Sequence, residues 1–163
     1  MREIDRSKWP SGVWDVEGDD ERWFHRGLPC MVLRNPMGHL CGYVGVPEGH
    51  VFHGEEDCYS DGSRMPGFEA HGGITFTGEH AVEILDADSY AKYWWIGFDC
   101  AHAGDTSPGM ASFLSITRDE SYRDMVYVKA ETERLAVQIA AEAGLWPRWK
   151  RLWRRIRKEV RRG

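Results

Sequence analysis

Two short segments of this chain hold the side chains best suited to moving protons. EAHGGITFTG, residues 69 to 78, sets His71 before two glycines and a predicted strand; WWIGFDCAHAGD, residues 94 to 105, sets Cys100, His102 and two aspartates at a strand end. Free imidazoles titrate at about pH 6.5, so of two histidines brought together one can be neutral while the other is protonated. Such a pair supplies general base and general acid without a metal ion. On a ribonucleotide phosphodiester, one imidazole would take the 2′-hydroxyl proton and the other would protonate the departing 5′-oxygen. Asp105 or Asp99 would accept the second ring proton of His102 and fix its tautomer. Gly72 and Gly73, without side chains, would offer their amides as a nest for the phosphate, and Thr75 would add a hydroxyl donor. A plainer reading stays open: Gly72-Gly73 as a tight turn, and structural histidine–aspartate contacts.

Neighbouring residues extend the candidate site. Trp94 and Trp95 face opposite sides of a regular strand, so one is expected in the core and the other on a pocket wall where a nucleobase stacks. His50, and with it His53, would reach a ligand if their loop folded over the pocket. Glu131, one helical turn beyond Tyr127 and off the apolar stripe, would either project into the cleft or stand in solvent. A metal reading uses other groupings: His39-Leu-Cys41 and Cys100-Ala-His102 are two i, i+2 pairs. On adjoining strands they would make a Cys₂His₂ tetrahedron for zinc. The preferred reading has no metal cofactor.

The elements that must position these groups follow from local patterning. CMVLR (30 to 34) and HLCGYVGV (39 to 46) flank Asn35-Pro36-Met37-Gly38 as a hairpin. ITFTG (74 to 78) and YWWIGFD (93 to 99) read as further strands, with AVEIL (81 to 85) weaker and Val13-Trp14 a short strand or loop. Residues 47 to 67 are rich in Gly, Pro, Asp and Ser, a long loop and a candidate lid. Met125, Val128, Thr132, Leu135, Ile139 and Ala143 then recur at helical spacing, with Asp119-Glu120 near the start and Gly144 as the stop. The order implies an α+β fold, an antiparallel sheet in the first two thirds packed against a long C-terminal helix. A second, basic amphipathic helix is expected from about 147 to 162, after a Pro suited to a first helical turn.

Charge divides the chain at the same boundary. Its formal net charge is −5, but residues 147 to 163 hold nine Lys or Arg and one Glu, leaving 12 basic and 25 acidic groups in residues 1 to 146. We therefore read 1–146 as a single acidic domain and 147–163 as a separate basic helix that docks on it or meets a membrane surface or partner. So acidic a body disfavours nucleic-acid polymers, whose affinity rests on basic groups meeting phosphates. A small anionic nucleotide remains compatible. No apolar run approaches the roughly 18 residues of a membrane span, and the charged start MREIDRSKWP is unlike a signal peptide. Four cysteines, at 30, 41, 58 and 100, include no Cys-x-x-Cys pair and read as free thiols of a cytoplasmic protein, Cys30 and Cys58 as buried or incidental ones.

The ordered series PCMVLRNPMGHLCGYVGVPEGH, HGGITFTG, WWIGFDCAHAGD and YRDMVYVKAETERLAVQI resembles a family of small proteins encoded by bacteriophages, prophages and bacterial genomes. The likeness spans about residues 29 to 140 and excludes the basic tail. It assigns no roles to individual residues. It implies a phage setting and the host-cell cytoplasm, where accessory proteins counter host defence by cleaving or sequestering cyclic nucleotide signals. The expectation is thus a metal-independent phosphodiesterase acting on a small nucleotide such as a cyclic dinucleotide immune signal. A non-enzymatic sponge for the same ligand and a zinc-stabilised module binding a host protein are the alternatives, and homo-oligomerisation is left open.

Overall fold

A computed structural model describes residues 4–56, 67–79, 92–110 and 120–145. Its centre is a five-stranded antiparallel sheet of β1 (Asp20–His25), β2 (Leu28–Arg34), β3 (Leu40–Pro47), β4 (Phe76–Gly78) and β5 (Tyr93–Asp99), in the order β1-β2-β3-β5-β4. Among the described residues one α-helix, α1 (Met125–Leu145), packs on it, which gives the expected α+β class. The expected strand at 81–85, Cys58, Asp119 and the basic helix at 147–162 lie outside the described residues. Among those described, no helix is long and apolar enough to cross a membrane.

The turns carry their own chemistry. β1 and β2 are joined by Arg26-Gly27, both at positive φ (52° and 79°), the left-handed geometry of a two-residue hairpin. DERWFH is polar and half-exposed on the sheet edge, which is why alternation alone passed over it. Val13–Asp15 is a 3₁₀ turn rather than a strand, and it buries Trp14 against Tyr122.

Alternation sorts the sheet into two faces. Cys30, Val32, Leu40, Val44, Val46, Trp94, Ile96 and Phe98 meet Val128, Leu135, Ala136 and Ile139 of α1 in the core. Gly42 fixes how close the helix comes: a β-carbon there would lie 2.3 Å from Thr132 Oγ1 and 2.6 Å from the Phe98 ring. Thr132, fully buried, returns its hydroxyl to Val128 O at 2.8 Å. The opposite face also holds buried side chains, Met31 and Trp95 among them. The described start of the long loop is no free lid, because Val51 and Phe52 are buried in the core and Phe52 packs edge-on against Phe68.

A buried cation ties the N-terminal segment to the helix. The Arg34 side chain is fully enclosed and meets Glu17 at 3.0 Å, Asp19 at 2.9 Å, the Gly38 carbonyl at 2.8 Å and Tyr122 Oη at 2.6 Å. Tyr122 also donates to Glu17 Oε2, while Glu17 Oε1 accepts the Met125 N–H at the start of α1. Glu17 thereby satisfies a backbone donor that a helix N-terminus otherwise leaves open.

Candidate functional site

Three segments converge at the C-terminal end of β5. The first is the turn at residues 70 to 73, closed by the Gly73 N–H on Ala70 O at 2.9 Å, with Gly72 and Gly73 at φ 66° and 89°. The second follows β5, where Asp105 N–H donates to His102 O and Asp105 pairs with Ser121 as an isolated bridge. The third is residues 121 to 127, which launch α1; Thr106 N–H on Ser121 O and Ser121 N–H on Gly104 O hold the second and third together. Gly72 is required by more than its turn. A β-carbon would fall 2.1 Å from His102 Cε1, so the imidazole rests on the bare glycine.

Asp105 is the hub. Its side chain is 2% exposed, and Oδ2 accepts His71 Nε2–H at 2.6 Å and the His102 N–H at 3.0 Å. Its other oxygen, Oδ1, accepts Arg123 Nε–H at 2.9 Å. His71 Nδ1 faces Tyr127 Oη at 3.0 Å, so neutral His71 donates to Asp105 and accepts from the phenol. The two imidazoles stand edge to face with centroids 5.5 Å apart. His102 Nδ1 lies 3.7 Å from Asp105 and 3.9 Å from Asp99, sealed from solvent and without a hydrogen-bond partner. The His102 side chain is nonetheless 34% exposed, with Cε1 and both ring nitrogens lying over Gly72.

Burial alone would raise the Asp105 carboxyl, but the hydrogen bonds from His71, Arg123 and the His102 amide outweigh it and hold its pKa below the ordinary value. The Asp105 bond in turn raises Arg123. Tyr127 is raised by burial and then by the charge of Glu131, which keeps it a phenol. The Arg123 guanidinium lies 5.0 Å over the Tyr127 ring, bracing both.

Of the residues expected to act, His71, His102 and Asp105 do come together, at the junction read from the two segments. Three details differ. Asp105 bonds the His71 ring rather than that of His102, because the loop presents it across the turn instead of back along β5. Both His71 nitrogens are committed, so it is not a second free imidazole. The Gly73 amide closes its own turn instead of facing a phosphate, and Thr75 Oγ1 accepts the Asp99 N–H at 3.1 Å. Asp99 further accepts the Ala101 N–H at 3.0 Å.

Neither tryptophan forms the expected stacking wall. Trp94 and Trp95 are 7% and 1% exposed, because both faces of the sheet are covered; Trp94 donates its indole N–H to Glu55 O. His50 bonds within its own turn, accepting the Phe52 N–H. Glu131 is 8% exposed and pairs with Arg134, so it is not a solvated glutamate; its charge is felt by Tyr127. Two further residues complete the site, Arg123 and Tyr127, and the signal for Tyr127 in the sequence is its place off the apolar stripe of the helix.

The set His39, Cys41, Cys100 and His102 is not gathered into one ligand group. Cys41 sits opposite Asp99 in the sheet register and shares its face, whereas Cys100, the next residue along, belongs to the core. His39 is buried against Ser107 at 3.1 Å, and burial lowers its pKa. Among the described residues, the group able to hold a metal ion is His71, His102 and Asp105, whose donor atoms lie within 4.8 Å of one another. Compared with known proteins, the chain matches no family model, no curated protein and no solved structure.

Proposed function

We propose that the protein hydrolyses a small nucleotide phosphodiester at the His71–His102–Asp105 centre, converting one diester bond and water into a phosphomonoester and an alcohol. The observation that carries this reading is the convergence of two imidazoles on one buried, ionised carboxylate at a partly exposed rim. His102 moves the proton through Nε2, and Asp105 anchors its backbone. Arg123 binds Asp105 through Nε and is 31% exposed, so its terminal nitrogens are the donors suited to a phosphate oxygen. They take the place assigned from sequence to Gly72, Gly73 and Thr75. The acidic remainder of the domain favours a compact ligand over a polymer, and the phage likeness favours a cyclic dinucleotide in the host-cell cytoplasm.

Incubating the protein with cyclic and linear dinucleotides, followed by chromatography, tests the proposal. Linear or mononucleotide products are expected, lost by at least about 100-fold in His102→Ala, in line with the usual worth of a general acid or base. Ligand depletion that reverses on heat denaturation, with no product, identifies sequestration and overturns catalysis.

A further inference from the structure

We propose that His71, His102 and Asp105 bind one divalent first-row transition ion, zinc foremost, through His71 Nε2, His102 Nδ1 and Asp105 Oδ2. This deepens the hydrolase reading and revises one role in it: an imidazole bound through Nδ1 keeps its proton on Nε2, so in the loaded protein His102 would be a ligand and hydrogen-bond donor rather than the group that moves the proton. It rests on that reading only for the ion's purpose, since binding is measurable without substrate. Two imidazoles and a carboxylate are a donor set for zinc and its neighbours, whereas magnesium and calcium take oxygen ligands.

The distances already approach those of a site. Zinc bonds of roughly 2.0–2.1 Å at tetrahedral angles hold donor atoms about 3.3 Å apart. His71 Nε2 and Asp105 Oδ2 are at 2.6 Å, as suits two atoms sharing a proton, and His102 Nδ1 is 3.7 Å from the same oxygen. Binding asks the first pair to part and the second to close, each by less than about 1 Å.

The sealed Nδ1 of His102 gives an independent reason. A buried nitrogen without a partner carries a desolvation penalty that coordination removes. The outer contacts fit as well, because ligating histidines and carboxylates are held by hydrogen bonds on their far atoms. His71 Nδ1 has Tyr127 Oη, and Asp105 Oδ1 has Arg123 Nε. On binding, neutral His71 shifts its proton from Nε2 to Nδ1 and donates to the Tyr127 oxygen, so no proton is lost. Cys100 belongs to the core and Cys41 stands opposite Asp99 on the other face, so neither joins these ligands.

Three protein ligands leave a fourth position for water or a phosphate oxygen, the arrangement of catalytic rather than structural zinc. One carboxylate only half neutralises a divalent ion, and Arg123 adds another positive charge. The loaded centre therefore favours an anionic ligand.

Untagged full-length protein, stripped with a chelator and dialysed against zinc, is expected to hold one equivalent by elemental analysis. Cobalt loading should give the visible bands of a tetrahedral N/O site with no thiolate charge-transfer band. His102→Ala, at a third-exposed position, should weaken zinc binding at least about 100-fold, and Tyr127→Phe, which removes only the outer contact, by about 10-fold. No stoichiometric binding, wild-type affinity in His102→Ala, or a thiolate band would each overturn the site. The two proposals fail separately: metal bound without turnover removes the hydrolase, and full turnover by protein that binds no metal removes the ion.

Discussion

Replacing Asp105 by Asn tests the electrostatics of the hub. The carboxylate accepts three donors, from His71, the His102 amide and Arg123, while an amide side chain offers one acceptor oxygen and an NH₂ group. With that oxygen toward His71 and His102, the NH₂ meets Arg123 donor to donor; flipped, it meets both of the others. The first orientation wins because Arg123, 31% exposed, can turn into water. The variant then loses the Arg123 bond and the charge assistance of the other two. Hydrogen bonds to charged groups contribute about 1.5–3 kcal/mol against about 0.5–1.5 for neutral ones, so the two weakened bonds together lose about 2–3 kcal/mol, and the partly exposed Arg123, rehydrated, adds at most about 1, or about 2–4 kcal/mol in all. For a chain of this size that is roughly 5–15 °C in Tm.

Its pH dependence distinguishes lost charge from mere misfit. Because the folded pKa of Asp105 is depressed, its contribution is complete above the unfolded carboxylate range of about 3.9 and is lost as pH falls through the lower folded value. The stability gap between wild type and Asp105→Asn should therefore be constant near neutrality and narrow below about pH 4. Thermal melts between pH 7 and about pH 2.5 measure it. An Asn variant as stable as wild type at pH 7, or a gap that never narrows on acidification, would refute the claim that an ionised Asp105 holds these groups.

Gly72→Ala puts a β-carbon into the His102 ring at a positive φ; it should cost about 1–3 kcal/mol and displace the imidazole, seen as lower Tm together with shifted His102 NMR resonances. Arg34→Met strands Glu17 and Tyr122 without their cation and should cost about 3–5 kcal/mol in urea unfolding, and Arg34→Lys should not restore it, since lysine cannot reach Glu17, Asp19, Tyr122 and Gly38 together.

The sequence was most legible where a single period dominates. Tyr93–Asp99 and the helix from Met125 were read from alternation and from a repeat of three to four residues, the helix running one residue past Gly144. Alternation assigns faces but cannot say whether a face is covered, so both tryptophans were buried where one had been expected to line a pocket. β1 escaped because Asp20–His25 earns its place by pairing with β2, not by an apolar face. At the site, residue type and flanking glycines pointed to His71, His102 and Asp105. Which of them bond each other depends on how the post-β5 loop meets residues 121 to 127, a contact made by backbone atoms and invisible to side-chain patterning.

Glu17 gives the acidic stretch near the chain start a mechanical meaning. One of its oxygens accepts the Met125 N–H in the first turn of α1, the turn that carries Tyr127, and the other is clamped by Arg34 and Tyr122. A segment with no reactive group of its own thus acts as a latch on the rim where the chemistry would occur. Removing the residues before β1 would keep His71, His102 and Asp105 and still leave the start of the helix that carries Tyr127 without its acceptor.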